Sequence, residues 1–216
     1  MLFGFDGPVA RLFSASTARE AVRDLLALVA EHRGPRDTGA GAGQEAFAHP
    51  LDVLRAFAQD RLGPLLRERL DDLELQAVPH APATHNFAHL LRTLHASGRR
   101  VCVVTDACAE AAHRYLKPYG TLPLAGIHGR AEDLGLLTPH PACLLRALDS
   151  GAGTATTGLV IGCTVAELAA AQRAGLRFVG LARNTTTDRQ LREAGCETTV
   201  TSLAPLLAAA GSLRPR

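Results

Sequence analysis

The hydrophobic pattern changes its period along the chain. Residues 2–6, LFGFD, form a short apolar run that stops at the turn pair Gly7-Pro8, which predicts a strand. A helical period follows. Val22, Leu25, Leu26 and Val29 fall on one face, and Thr17 with Glu20 three residues later has the spacing of a capping box. Gly34-Pro35 ends this helix, and residues 36–44 (RDTGAGAGQ) read as a flexible loop. Residues 50–77 give two further helical runs split by Gly63-Pro64, and a Pro-containing linker, HAPAT, closes that part.

From residue 84 the period alternates. Helical patterns over 84–97, 108–117, 141–149, 164–174 and 187–194 are interleaved with apolar runs at 101–105, 122–128, 158–162, 177–181 and 197–201. A last helix, SLAPLLAAA, ends the pattern. Strands alternating with helices of about ten residues predict a parallel sheet covered on both faces, a Rossmann-like α/β architecture. The helical stretch after the first strand has no strands of its own. It is expected as a helical cap over residues 15–81, inserted into a core made of 1–14 and 82–216.

Composition narrows the function class. With 216 residues, 47% of them hydrophobic and 20% charged, the chain can bury a sizeable core. A net charge of +2 carries no nucleic-acid footprint. Of the 23 basic residues only Lys117 is a lysine, a bias expected of a bacterial coding sequence that also leaves few candidates for a catalytic lysine. The five cysteines match no zinc or disulfide spacing and fit a reducing cytoplasm. The opening MLFGFDGPVA has an acid and no basic leader, so no signal peptide is expected, and no apolar run reaches the length of a membrane span.

In an open parallel sheet, ligands bind beyond the carboxyl ends of the strands. Three such ends carry chemistry here: Gly4-Phe5-Asp6-Gly7-Pro8, Val103-Val104-Thr105-Asp106 and Ile161-Gly162-Cys163-Thr164-Val165-Ala166-Glu167. With the segment GRAEDLGLLTPHPACLLRAL, these resemble the four motifs of the haloacid-dehalogenase superfamily, in its phosphoglycolate-phosphatase-like branch with a helical cap. That resemblance implies an Asp-x-Asp opening with a nucleophile and a general acid/base. It also implies a phosphate-binding hydroxyl, a charge-neutralising lysine, and an acidic motif that holds magnesium.

Matched position by position, the chain departs from this pattern. Gly4 stands at the nucleophile position, while Asp6 keeps the acid/base position. Thr105 keeps the hydroxyl, and Asp106 replaces a neutral amide. Thr138, in Thr-Pro-His-Pro, replaces the lysine, and Cys163 replaces the magnesium carboxylate. A thiolate is a soft ligand that suits magnesium poorly, which leaves Glu167 as the remaining candidate metal ligand.

The expectation is therefore an eroded active site that binds a small molecule and lacks magnesium-dependent phosphatase activity. The alternatives are a phosphatase-like hydrolase, or altered chemistry through Asp6. Asp6, Thr105, Asp106 and Cys163 are the candidate catalytic residues; Gly4, Gly7, Arg130 and Thr138 are the candidate ligand contacts. No cofactor other than magnesium comes into question, and no cation is expected to replace the lost lysine. A small-molecule partner and a homodimer are expected, with no nucleic acid and no membrane. His85 and His89, four apart on a helical stretch, could share a metal but have no third ligand in view.

Overall fold

The structure, a computed structural model, describes residues 1–33, 47–120, 122–152 and 157–212. The loop expected at 36–44 lies outside them. Six parallel strands form one sheet in the order β3-β2-β1-β4-β5-β6. They are β1 (Leu2–Gly4), β2 (Cys102–Val104), β3 (Gly126–His128), β4 (Leu159–Gly162), β5 (Arg177–Leu181) and β6 (Thr199–Val200).

The central strands are the most apolar. Leu2, Phe3, Val103 and Ile161 are fully buried, as a sheet covered on both faces requires. Register is set by Phe3 opposite Val103 on one side and Ile161 on the other. Nine helices are described: α1 (Ala15–Arg33), α2 (Pro50–Ala56), α3 (Gly63–Ala77), α4 (Phe87–Ala96), α5 (Ala109–Leu116), α6 (Ala142–Ala147), α7 (Val165–Arg173), α8 (Thr185–Glu193) and α9 (Ala204–Gly211).

One sheet face packs Phe3, Phe5, Val103 and Ile161 against Leu90, Leu91 and Leu94 of α4. The other packs Leu2, Cys102 and Val160 against Cys143 and Leu144 of α6 and Ala170 and Ala171 of α7. The helices α1–α3 bury their own cluster, in which Val22, Leu25, Val53, Leu54, Leu66 and Leu70 meet Leu134 and Leu137 from the core. At about 2 kcal/mol for each buried Leu or Val, that cluster alone is enough to hold three helices together.

The start of α1 differs from expectation. The helix begins before Thr17, and the box is formed by Ser14 and Thr17. Ser14 Oγ accepts from the Thr17 N–H at 3.2 Å, and Thr17 Oγ1 accepts from the Ser14 N–H at 2.8 Å. A threonine at the third helical position can return the bond as a glutamate does, so Glu20 is not used.

Sheet order places the crevice. The chain moves from β1 out to β2 and β3, then crosses back to start β4 on the other side of β1. The helices after β1 and β4 leave on opposite sides, which opens a gap at the carboxyl ends of these strands.

Candidate functional site

A cavity of about 290 Å³ sits over that switch point, between the strand ends and α2. Asp6, Thr105, Asp106, Thr138, Cys163 and Glu167 all line it, so the structure brings together the polar candidates from four separate segments. Much of the remaining wall is apolar, including Phe5, Leu51, Val104, Leu144 and Val160.

Gly4 lies behind Glu167, which lines the cavity. A methyl group built on Gly4 would overlap Glu167 Oε1 and would lie 3.4 Å from the Ile161 carbonyl oxygen. The carboxyl of Glu167 thus occupies the space that a side chain at position 4 would need. Glu167 reaches there from the first turn of α7, where it forms a capping box with Thr164. Its Oε2 accepts from the Cys163 N–H (2.9 Å), the Thr164 N–H (2.9 Å) and Thr164 Oγ1 (2.8 Å). Burial nevertheless pushes its pKa up to about 7, with Asp106 adding to the rise.

Asp6 follows on the same strand end. Its Oδ1 accepts the Leu12 N–H at 3.0 Å, and Oδ2 lies 3.8 Å from His49 Nε2. Desolvation raises the Asp6 pKa and lowers that of His49. His49 Nδ1 accepts the Leu51 N–H, so in the neutral ring the proton sits on Nε2, facing Asp6. The basic nitrogen of His49 is thereby used to cap α2, assisted by Asp52 Oδ2, which accepts the His49 N–H at 3.0 Å.

Asp106 is buried, and its side-chain hydrogen bonds all fall on Oδ2. One oxygen accepts from the Thr138 N–H (2.9 Å), Thr138 Oγ1 (2.5 Å) and Arg55 (3.2 Å). Arg55 comes from α2 and corrects the expectation that no cation replaces the lost lysine. Its charge is already met, however. The guanidinium donates to the Thr138 carbonyl (2.7 Å), to Thr138 Oγ1 (3.0 Å) and to Asp52 Oδ1 (3.0 Å), besides Asp106. Thr105 Oγ1 is turned inward to accept the Ala107 N–H at 2.9 Å.

Arg130 is not a crevice contact. Its side chain is 2% exposed and donates to Glu74 Oε2 (2.6 Å) and Asp71 Oδ1 (2.5 Å) of α3, and to the Asp106 carbonyl (2.6 Å). The Glu74 side chain is equally buried, and the pair joins the helical layer to the sheet. Gly4 and Gly7 do not line the cavity wall; Gly7, at φ 99°, turns the chain in a region that favours glycine.

Cys163 donates its thiol to the Asp6 carbonyl at 3.3 Å. Burial, with Glu167 and Asp6 nearby, holds its pKa well above the usual thiol value, the reverse of an activated nucleophile.

Magnesium, implied by the resemblance, needs about six hard oxygen ligands in a near-octahedral shell. Here Cys163 supplies sulfur, position 4 has no side chain, and Asp6, Asp106 and Glu167 each have one oxygen already taken by protein donors, which leaves single oxygens from three carboxyls. This donor set does not fit the ion. Asp71, Glu74 and Cys108 also gather their ligand atoms within 4.8 Å of one another, but Arg130 bridges both carboxylates. Cys108 is pushed up to about 12, chiefly by burial. The guanidinium takes the place a metal would have. Among the described residues, no helix is long and apolar enough to cross a membrane.

His49, Asp52 and Arg55 were not singled out by the sequence pattern. The one local signal is His49-Pro50-Leu51-Asp52, a helix start with an acid at the third position.

Comparison with known proteins gives a consistent fold. No family model matches the chain, and no curated protein does. Solved structures match over nearly the whole length. A hydrolase from Pseudomonas syringae is 20% identical, with 98% of both chains covered and a TM-score of 0.70. A HAD family hydrolase from Deinococcus radiodurans with bound phosphate and sodium is 23% identical, covering 100% of this chain and 97% of that one at a TM-score of 0.62. CbbY from Rhodobacter sphaeroides, in complex with xylulose-1,5-bisphosphate, is 17% identical over 95% and 94% at 0.67. The chain has the fold of the haloacid-dehalogenase-like hydrolases.

Proposed function

Starting from that fold, we propose that the crevice binds a small molecule and does not carry out magnesium-dependent phosphoryl transfer. The observation that carries this reading is the pairing of Arg55. The cation nearest the cavity is shared between Asp52 and Asp106, so no net positive charge remains for a phosphate. The acids lining the cavity, Asp6, Asp52, Asp106 and Glu167, outnumber Arg55 and a His49 that burial keeps neutral. A phosphate brought there would meet no unpaired cation in the cavity wall, and Asp52 and Asp106 would repel it. Attack on phosphorus also lacks its group, because Glu167 fills the space above Gly4 with an oxygen held by three donors on its partner atom.

The direct test is hydrolysis of an aryl phosphate and a panel of sugar phosphates with magnesium. The expected result is no turnover above background. Clear turnover that disappears in Asp6→Ala overturns the proposal.

The second reading is a hydrolase with altered chemistry. It is favoured by Asp6, which faces the cavity, keeps the acid/base position and has its pKa raised by desolvation. The structural neighbours described as hydrolases, one of them with bound phosphate and sodium, support the broader alternative of a phosphatase-like hydrolase. A carboxyl so placed could move a proton to or from a bound ester. Hydrolysis of uncharged carboxylic esters, without metal and abolished in Asp6→Asn, would establish this reading in place of the first.

A further inference from the structure

Three carboxylate oxygens of acids lining the crevice, Asp6 Oδ2, Asp106 Oδ1 and Glu167 Oε1, have no hydrogen-bond donor among the described residues. Asp6 commits Oδ1 to the Leu12 N–H, and its Oδ2 is 3.8 Å from the nearest basic atom, beyond a hydrogen bond. Glu167 commits Oε2 three times, and its Oε1 rests against Gly4. Cys163 lies between the two groups. Its N–H donates to the Glu167 carboxylate and its thiol to the Asp6 main-chain carbonyl, so one residue ties the Glu167 acid group to the backbone that carries Asp6. Above them is a cleft of about 290 Å³ walled by Leu51, Val104, Leu144 and Val160. That is the small end of ligand pockets.

Buried carboxylates stay ionised only when a cation or several donors meet them. Arg55 cannot serve, being held by Asp52, Asp106 and Thr138. Arg183 commits its guanidinium to the Gly7 carbonyl and Thr84 Oγ1, and neither Arg183 nor Arg11 lines the cavity. We propose, building on the reading of the crevice as a ligand site, that it takes a compact organic ammonium ion. The ammonium N–H groups would donate to Asp6 Oδ2 and Glu167 Oε1, and the hydrocarbon body would pack on the apolar wall.

The raised pKa values of both acids come first from desolvation; at Asp6 the charges of Arg11 and Arg183, which stand outside the cavity wall, offset only part of it, and His49 is neutral. A phosphate ester, a carboxylate or a free phosphate ion has the opposite sign and is disfavoured by the same groups.

The test compares benzylammonium, benzyl alcohol, benzoate and inorganic phosphate by calorimetry at about pH 8, above the value of about 7 to which burial pushes Glu167. Benzylammonium is expected to bind roughly tenfold tighter than benzyl alcohol, the gain of a charge-assisted pair, with benzoate and phosphate weakest. Asp6→Asn and Glu167→Gln are each expected to erase most of that preference. Circular dichroism checks that each variant is folded, and Asp6→Asn decides the matter by itself if the other does not fold. Equal or tighter binding of the alcohol overturns the cation inference and leaves the ligand-site reading standing. Phosphate as the tightest probe, or no binding by any of the four, ends both.

Discussion

Adding one methyl group at Gly4 tests the claim that Glu167 fills a vacated position. In Gly4→Ala the new carbon overlaps Glu167 Oε1 and meets the Ile161 carbonyl oxygen at 3.4 Å. The end of a glutamate side chain would ordinarily swing away at little cost. Here it cannot, because Oε2 holds the Cys163 and Thr164 N–H groups and the Thr164 hydroxyl. Yielding space therefore means overpacking or giving up capping bonds, and either costs about 1–3 kcal/mol. Glu167→Ala loses the same bonds, at about 1–2 kcal/mol, but removes the obstruction. In the double variant the methyl group enters free space, so the two effects are expected to be non-additive by about 1–2 kcal/mol in the favourable direction. Urea denaturation of the four proteins, with unchanged m-values, measures this coupling. Additivity within about 0.5 kcal/mol would refute the filling argument.

Three more outcomes follow from the same contacts. Arg130→Met leaves Glu74 buried and unpaired and should cost about 3–5 kcal/mol, whereas Arg130→Met with Glu74→Leu should recover most of it, as chemical denaturation would reveal. Glu167 carries a native pKa of about 7 against an ordinary 4.5, so the folded state holds a proton that the unfolded chain releases. Its contribution to stability is complete below about pH 4.5 and declines as pH rises to about 7, by up to about 3 kcal/mol. The difference in urea midpoint between wild type and Glu167→Gln should track that window, and a pH-independent difference would contradict it. Cys163, with its thiol held far up by burial, should react with a disulfide reagent at neutral pH at least about tenfold more slowly in the native than in the unfolded protein. Rapid native labelling, mapped to Cys163 by mass spectrometry, would contradict the stated cause.

The parts legible in the sequence are those where local pattern and burial agree. The runs around Val103 and Ile161 are apolar throughout because both faces of those strands are covered, and turn residues close each of them. The edges are harder to read. β6 is only Thr199–Val200, and β3 is half-buried, so neither has a strong alternating or continuous signal. The strand-end candidates Asp6, Thr105, Asp106, Cys163 and Glu167 were readable because sheet topology, rather than any long-range contact, gathers them. The contribution of α2 was not, since Arg55 and Thr138 are 83 positions apart and meet only after the helical layer packs. The absence of a carboxylate at Gly4 is plain in the sequence, but that Glu167 closes the gap depends on a side-chain direction set by the capping of α7. Arg130 misled because an arginine near a phosphate-like motif suggests anion contact, and only the fold reveals the two acids of α3 that claim it.

The Arg130–Glu74 pair has a kinetic corollary. Glu74 Oε2 also accepts the Cys108 N–H at 2.7 Å, so a single backbone amide belongs to the seam between α3 and the sheet. Parting that seam strands an ion pair in a dry interior, so α3 is expected to lift from the sheet as a unit rather than fray from it. Deuterium uptake at Cys108 would count those openings one by one, making this amide an internal clock for the seam.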